Sequence, residues 1–263
     1  MRRILIAIDG SPNSRESLRT AVMLCGMTGA SLSVAHASGD AGGVSGLGES
    51  LVVVNMVEDG KARARAAFDE VCGHLPDGRF KTYGATSADL VAWLGPGHDM
   101  ILVERISREQ GPKAQLLNAA LFETGRPVML LPPEPRTAPI RRPALAWNGS
   151  AISARAIRSA LPLMQQARRA TLLIGSGAGK IRPEPLREYL ASYGVAVEVS
   201  SYDSDHLTAR ARGRALIAAA VASEADLLVT GAFGESAASS ILGLGRATQK
   251  LATAAPMPVL MQN

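Results

Sequence analysis

Cysteine is scarce: the 263-residue chain holds two, Cys25 and Cys72. They form neither a CxxC pair nor a zinc spacing, so two reduced thiols on helices are expected. Aromatic residues make up only 4% and the arginines are scattered. That removes the stacking platforms and basic stripes used to bind nucleic acid. Long apolar runs are also missing, and stretches such as ALIAAAVA (215–222) fall far short of a bilayer span. The opening MRRILIAIDGS carries a basic pair, but its apolar run is too short for a secretion signal. The expectation is a cytoplasmic chain with no membrane and no nucleic-acid partner.

What is present is a folded composition, with 47% hydrophobic and 19% charged residues. The net charge of +5 is mild and spread along the chain. It suits steering of an anion such as a nucleotide phosphate, or an ordinary surface.

The chain reads twice. Arg3-Ile-Leu-Ile-Ala-Ile-Asp-Gly-Ser11 has its counterpart in Arg142-Pro-Ala-Leu-Ala-Trp-Asn-Gly-Ser150. A helical stretch and a second apolar run follow each: ASLSVAHA (30–37) and ATLLIGS (170–176). Later come DMILV (99–103) and DLLV (226–229), then the proline-led PVMLL (127–131) and PVLM (258–261). Between the halves lies PPEPRTAPIRRP (132–143), whose five prolines read as a stiff linker. Short, nearly continuous apolar strands alternating with helices predict parallel sheets covered on both faces. The domains expected are 1–133 and 144–263, with the linker at 134–143. Ser38–Val57, with five glycines before an apolar run, reads as a surface insertion or a lid. In the segment 208–223, Ala211, Ala215, Ala218 and Ala222 form a stripe, with Arg210, Arg212 and Arg214 largely away from it on a solvated face.

The stretch from Val229 to Thr248 has four glycines and mostly small side chains between a strand and a helix. Bare backbone there aims N–H groups at one point beside a helix N-terminus, a cradle suited to phosphate. The alternative is that the glycines only shape a helix entry and a close strand–helix contact. No GxxxxGK[ST] occurs, and no GxGxxG follows the first strand.

ILIAIDGS, ALAWNGSAISARAIRSALPL, ADLLVTGAFG and APMPVLM, in this order, resemble the universal stress protein family. The resemblance covers nearly the whole chain and implies two tandem doubly wound α/β domains. Each would be Rossmann-like, of the adenine nucleotide alpha hydrolase type, with five strands. In nucleotide-binding members the acid ending the first strand meets the adenosine, and a Gly-x2-Gly-x9-Gly-Ser/Thr loop holds the phosphates. Carried onto the second half, this implies a set of Asn148, Gly149, Ser150, Ile174, Gly231, Gly234, Gly243, Gly245, Arg246 and Thr248. Asn148 replaces the acid, at a cost of about 1–2 kcal/mol. Gly243 and Gly245 straddle the expected glycine, Arg246 stands where Ser/Thr is expected, and Thr248 is the nearest hydroxyl.

The first half departs in the opposite way. Asp9 and Ser11 match, but Glu104-Arg105 stands in place of the glycines, so ATP is not expected there. Ser11, Ser150 and Ser153 read as helix caps. Trp147 reads as packing beneath its turn or as a platform for a base. His36 is expected to be a hydrogen-bonded strand end, and His206 with Asp205 lacks a partner at metal spacing. No catalytic residue is assigned, and a metal is left open.

The resemblance implies a regulatory protein binding ATP or a related nucleotide. An interaction scaffold without nucleotide, or a slow ATPase, are the alternatives. The closing strands PVMLL and PVLM are expected to pair, giving a pseudo-twofold chain that dimerises further.

Overall fold

The computed structural model describes the chain except residues 40–50, 106–110, 133, 135–136, 168, 177–180 and 233–245, and gives backbone alone for 51–57 and 246. It forms two compact units: Met1–Arg126 with Pro133–Ala138, and Pro127–Pro132 with Pro139–Asn263.

The first unit alternates strand and helix: β1 (Arg3–Ile8), α1 (Asn13–Thr28), β2 (Ser31–Ala37), α2 (Leu51–Cys72), β3 (Arg79–Tyr83), α3 (Ser87–Leu94), β4 (Met100–Glu104) and α4 (Pro112–Glu123). Its strands are all parallel, in the order β3-β2-β1-β4. The second unit holds β5 (Val128–Leu131), β6 (Pro143–Ala146), α5 (Ala151–Met164), β7 (Ala170–Gly175), α6 (Glu184–Ala191), β8 (Val197–Tyr202), α7 (Ala209–Ala222), β9 (Leu227–Gly231), α8 (Arg246–Ala254) and β10 (Val259–Gln262). Here β6, β7, β8, β9 and β10 run parallel, while β5 lies antiparallel to β10 with Leu130 opposite Val259.

Among the described residues, each half of the sequence therefore supplies five strands, but the units hold four and six. This corrects the expectation of five apiece. The strand closing the first half, PVMLL, belongs to the second unit's sheet, where it pairs with the other proline-led strand. The proline-rich segment is less of a linker than expected, because Ile140 is buried and β6 begins at Pro143.

The central strands are the core. Ile4, Leu5, Ile6, Met100, Ile101 and Leu102 are fully buried, as are Leu227, Leu228 and Val229. That fits strands covered on both faces. A carboxylate fastens each first strand at its start. Asp99 accepts from the backbone N–H groups of Arg2 (2.6 Å) and Arg3 (2.9 Å). Asp226 accepts from those of Arg141 (2.8 Å) and Arg142 (2.9 Å). The repeated Asp of DMILV and DLLV is thus structural.

Part of the 38–57 insertion, from Leu51 on, is the start of α2 rather than a loop. Burial pushes the Cys25 thiol up to about 11. Burial and the neighbouring Cys25 push that of Cys72 up to about 12. Both thiols stay protonated, which makes them poor nucleophiles. No helix among the described residues is long and apolar enough to cross a membrane.

Candidate functional site

Chain order reverses between β1 and β4, and again between β6 and β9. The crevice beyond the carboxyl ends of such strands is where parallel sheets place ligands. Both crevices begin with the same turn. Asp9 Oδ1 accepts the Ser11 N–H at 2.8 Å, and Asn148 Oδ1 accepts the Ser150 N–H at 3.1 Å. The residue between is glycine at φ +74° in Gly10 and +76° in Gly149, the left-handed region that disfavours side chains. An amide makes this turn as well as a carboxylate does, so the turn itself does not require the charge at position 9.

The strands opposite end differently. Ile4 aligns with Met100, and Pro143 with Leu227. Counting along from these pairs makes Glu104 the counterpart of Gly231. Glu104 is buried and accepts from Ser17 Oγ (3.2 Å) and from the Lys113 ammonium. Lys113, from the first turn of α4, also lies 3.5 Å from Asp9.

Burial works against charge on both Asp9 and Lys113. It is outweighed at Asp9 by hydrogen bonds from Ser11 and Ser14 and by Lys113, so its carboxyl lies below the ordinary range. At Lys113 it is outweighed by Glu104 and Asp9, which raise the ammonium's pKa. The first crevice thus contains its own cation, held by two carboxylates. Sequence reasoning missed Lys113. The signal was Pro112-Lys113, since proline at a helix start marks where the anion-attracting first turn lies.

The second crevice has no such cluster among the described residues. Asn148 and Gly149 are exposed. The Ser150 hydroxyl caps α5 by accepting the Ser153 N–H at 3.1 Å, and donates to Asn148 Oδ1 at 2.7 Å. Two expected caps are corrected. Ser153 sits inside the helix and donates back to the Ser150 carbonyl (2.8 Å). Ser11 precedes α1 without capping it through its side chain, and its hydroxyl is buried without a hydrogen-bond partner among the described residues.

Gly231 carries the close strand–helix contact that is the alternative reading of the loop glycines. A Cβ there would meet Ile152 Cγ2 at 2.8 Å and the Ser153 nitrogen at 3.1 Å. Its missing side chain lets α5 approach β9, so packing accounts for this glycine.

The structure brings Asn148, Gly149, Ser150 and Gly231 around the first turn of α5. Ile174 lies one step past Leu173, whose carbonyl accepts the Trp147 backbone N–H at 2.9 Å. Trp147 is half-buried, and its Nε1 is buried without a hydrogen-bond partner among the described residues. Thr248 is buried in the first turn of α8. Arg246 opens that helix, with only its backbone described. Gly234, Gly243 and Gly245 lie outside the described residues. Among the described residues, no three His, Cys, Asp or Glu side chains gather to hold a metal ion.

These features define an α/β protein of two parallel-sheet units, each with a switch-point crevice entered by an Asx-Gly-Ser turn. Residues 1–108 match the model of the universal stress protein family. The first half of the chain is thus similar to a universal stress protein domain, and the chain as a whole shares its fold with solved universal stress proteins.

A universal stress protein of Archaeoglobus fulgidus DSM 4304 superimposes with a TM-score of 0.71 at 14% identity, over 99% of this chain and 96% of that one. A Pseudomonas aeruginosa UCBPP-PA14 protein assigned to the universal stress proteins gives 0.61 at 16% identity, over 100% and 93%. The sequence has no match among curated proteins.

Proposed function

We propose that the chain is a cytoplasmic regulatory protein that binds ATP or a related adenine nucleotide in the crevice between β6 and β9, and not between β1 and β4. One observation carries this reading. At matched positions the first crevice holds Asp9, Glu104 and Lys113 as an ion cluster, while the second holds the uncharged Asn148 and Gly231. A buried carboxylate opposes an incoming phosphate, and the second crevice lacks it at that position.

Asn148, Ser150 and the exposed turn would face the ribose. The small-residue stretch and the N-terminus of α8 would face the phosphates, with Arg246 adding a direct contact. The nucleotide would set conformation or partner choice rather than undergo rapid hydrolysis. The expected affinity is on the order of 1–100 μM.

Calorimetric titration of the full chain with ATP tests this. Saturable heat at one site per chain supports it, and no heat up to millimolar ATP overturns it. The Gly231–Ile152 contact favours a second reading, an interaction scaffold in which the glycine serves packing alone. The same titration separates the two.

A further inference from the structure

The outer strand of the second unit's sheet has one neighbour among the described residues. Strand β8 pairs only with β7 among the described residues, in unbroken register from Val197 to Tyr202. The carbonyls of Ala196 and Tyr202 accept from β7 and its extension. Peptide groups alternate in direction along a strand. Those of Val197, Val199 and Ser201 therefore point away from the sheet.

Edge strands are ordinarily defended by cations, proline or bulges. The equivalent edge in the first unit is defended in this way: β3 carries exposed Arg79 and Lys81, and the Arg65 guanidinium lies 5.6 Å from the Phe80 ring. β8 carries one charge, Glu198, and exposes Val199 to 43%.

Helix α7 repeats the pattern. Its buried residues are Gly213, Leu216 and Ala220, so the alanine stripe is not its core face. Instead Ala215, Ala218, Ala219 and Ala222 line a groove of about 490 Å³ against Ser200–Asp203. Val221 beside them is 50% exposed.

We infer that a second copy of this chain docks here, with β8 antiparallel to β8 about a twofold axis through Val199. In this register Val199 faces its own mate and Val197 faces Ser201. Glu198 falls opposite Ser200, so no like charges meet. The axis is perpendicular to the sheet, which keeps both α7 helices on one face. Their alanines allow close, antiparallel approach.

Charge fits this occupant. Arg212 and Arg214 are exposed in the first half of α7, where the positive helix pole disfavours cations. Across the axis Arg212, which acts on Tyr202 at the end of β8, meets the negative pole of the other α7.

The test is sedimentation velocity on the full chain at tens of micromolar. A dimer is expected, converted to monomer by Val199→Lys and by Ser201→Pro. Both sites lie on the exposed edge, and the Ser201 N–H is unused within the sheet, so each variant keeps its circular dichroism spectrum. Val199→Cys should yield a cross-linked dimer on mild oxidation with diamide, while buried Cys25 and Cys72 stay unreacted. A monomeric wild type, or a dimer indifferent to both substitutions, overturns the proposal. Neither result bears on ATP titration, so the nucleotide reading stands or falls separately.

Discussion

Glu104 carries most of the difference between the two crevices, and it is held in place by Lys113. Removing one partner of a buried ion pair leaves the other charged and desolvated. Lys113→Met should lower unfolding free energy by about 2–4 kcal/mol, below the fully buried figure because Lys113 stays partly exposed. Adding Glu104→Gln should recover most of that loss, and urea melts of the single and double variants measure both. An undiminished loss in the double variant would mean that Lys113 acts through packing. Asn148 offers the opposite experiment. Its turn already matches that of Asp9, so Asn148→Asp leaves local geometry unchanged and adds a charged acceptor for a ribose hydroxyl. ATP affinity should rise about 5–30-fold, equivalent to 1–2 kcal/mol. Calorimetry that shows unchanged or weaker binding would place the ribose elsewhere.

At the scale of elements, the close contact between β9 and α5 sets the shape of the second crevice. A Cβ on Gly231 would press on the Ile152 γ2 methyl and on the Ser153 nitrogen. Gly231→Ala should therefore cost about 1–3 kcal/mol through overpacking. Ile152→Ala in the same chain relieves the first of these contacts and should return part of the loss. Thermal melts of the two variants check this. If Gly231→Ala leaves stability unchanged but abolishes ATP binding, the glycine serves the ligand rather than the helix. Alanine spacing on α7 likewise misleads when read alone. Ala211, Ala215, Ala218 and Ala222 repeat at helical period, yet Ala218 and Ala222 are exposed. Periodicity marks a face, and only the tertiary context says whether that face is covered by the same chain.

Across the whole molecule, the doubling was legible because order survives drift: Asx-Gly-Ser turns, Asp-led central strands and proline-led closing strands each recur once. The pairing of β5 with β10 was legible in the two proline-led closing runs, but the grouping of β5 with the second unit was not, since it rests on contacts between residues more than a hundred positions apart. Lys113 escaped because its role depends on Asp9, more than a hundred positions away, as well as on nearby Glu104. His98 was silent for the same reason, and it gives the molecule a pH dependence. It is buried, its Nδ1–H donates to the Leu94 carbonyl at 2.8 Å, and its Nε2 has no partner among the described residues. Burial depresses its pKa, and the cations Arg3 and Arg126 add to this, against the opposing Leu94 carbonyl and Asp99. The unfolded chain then binds a proton more readily than the folded one. His98 contributes its stability fully above the unfolded value of about 6.5, and that contribution falls as pH drops below it. Melting temperature should therefore decline between pH 7.5 and 5 in the wild type, and decline less in His98→Gln. Equal slopes in the two proteins would show that His98 is protonated as easily in the fold as outside it.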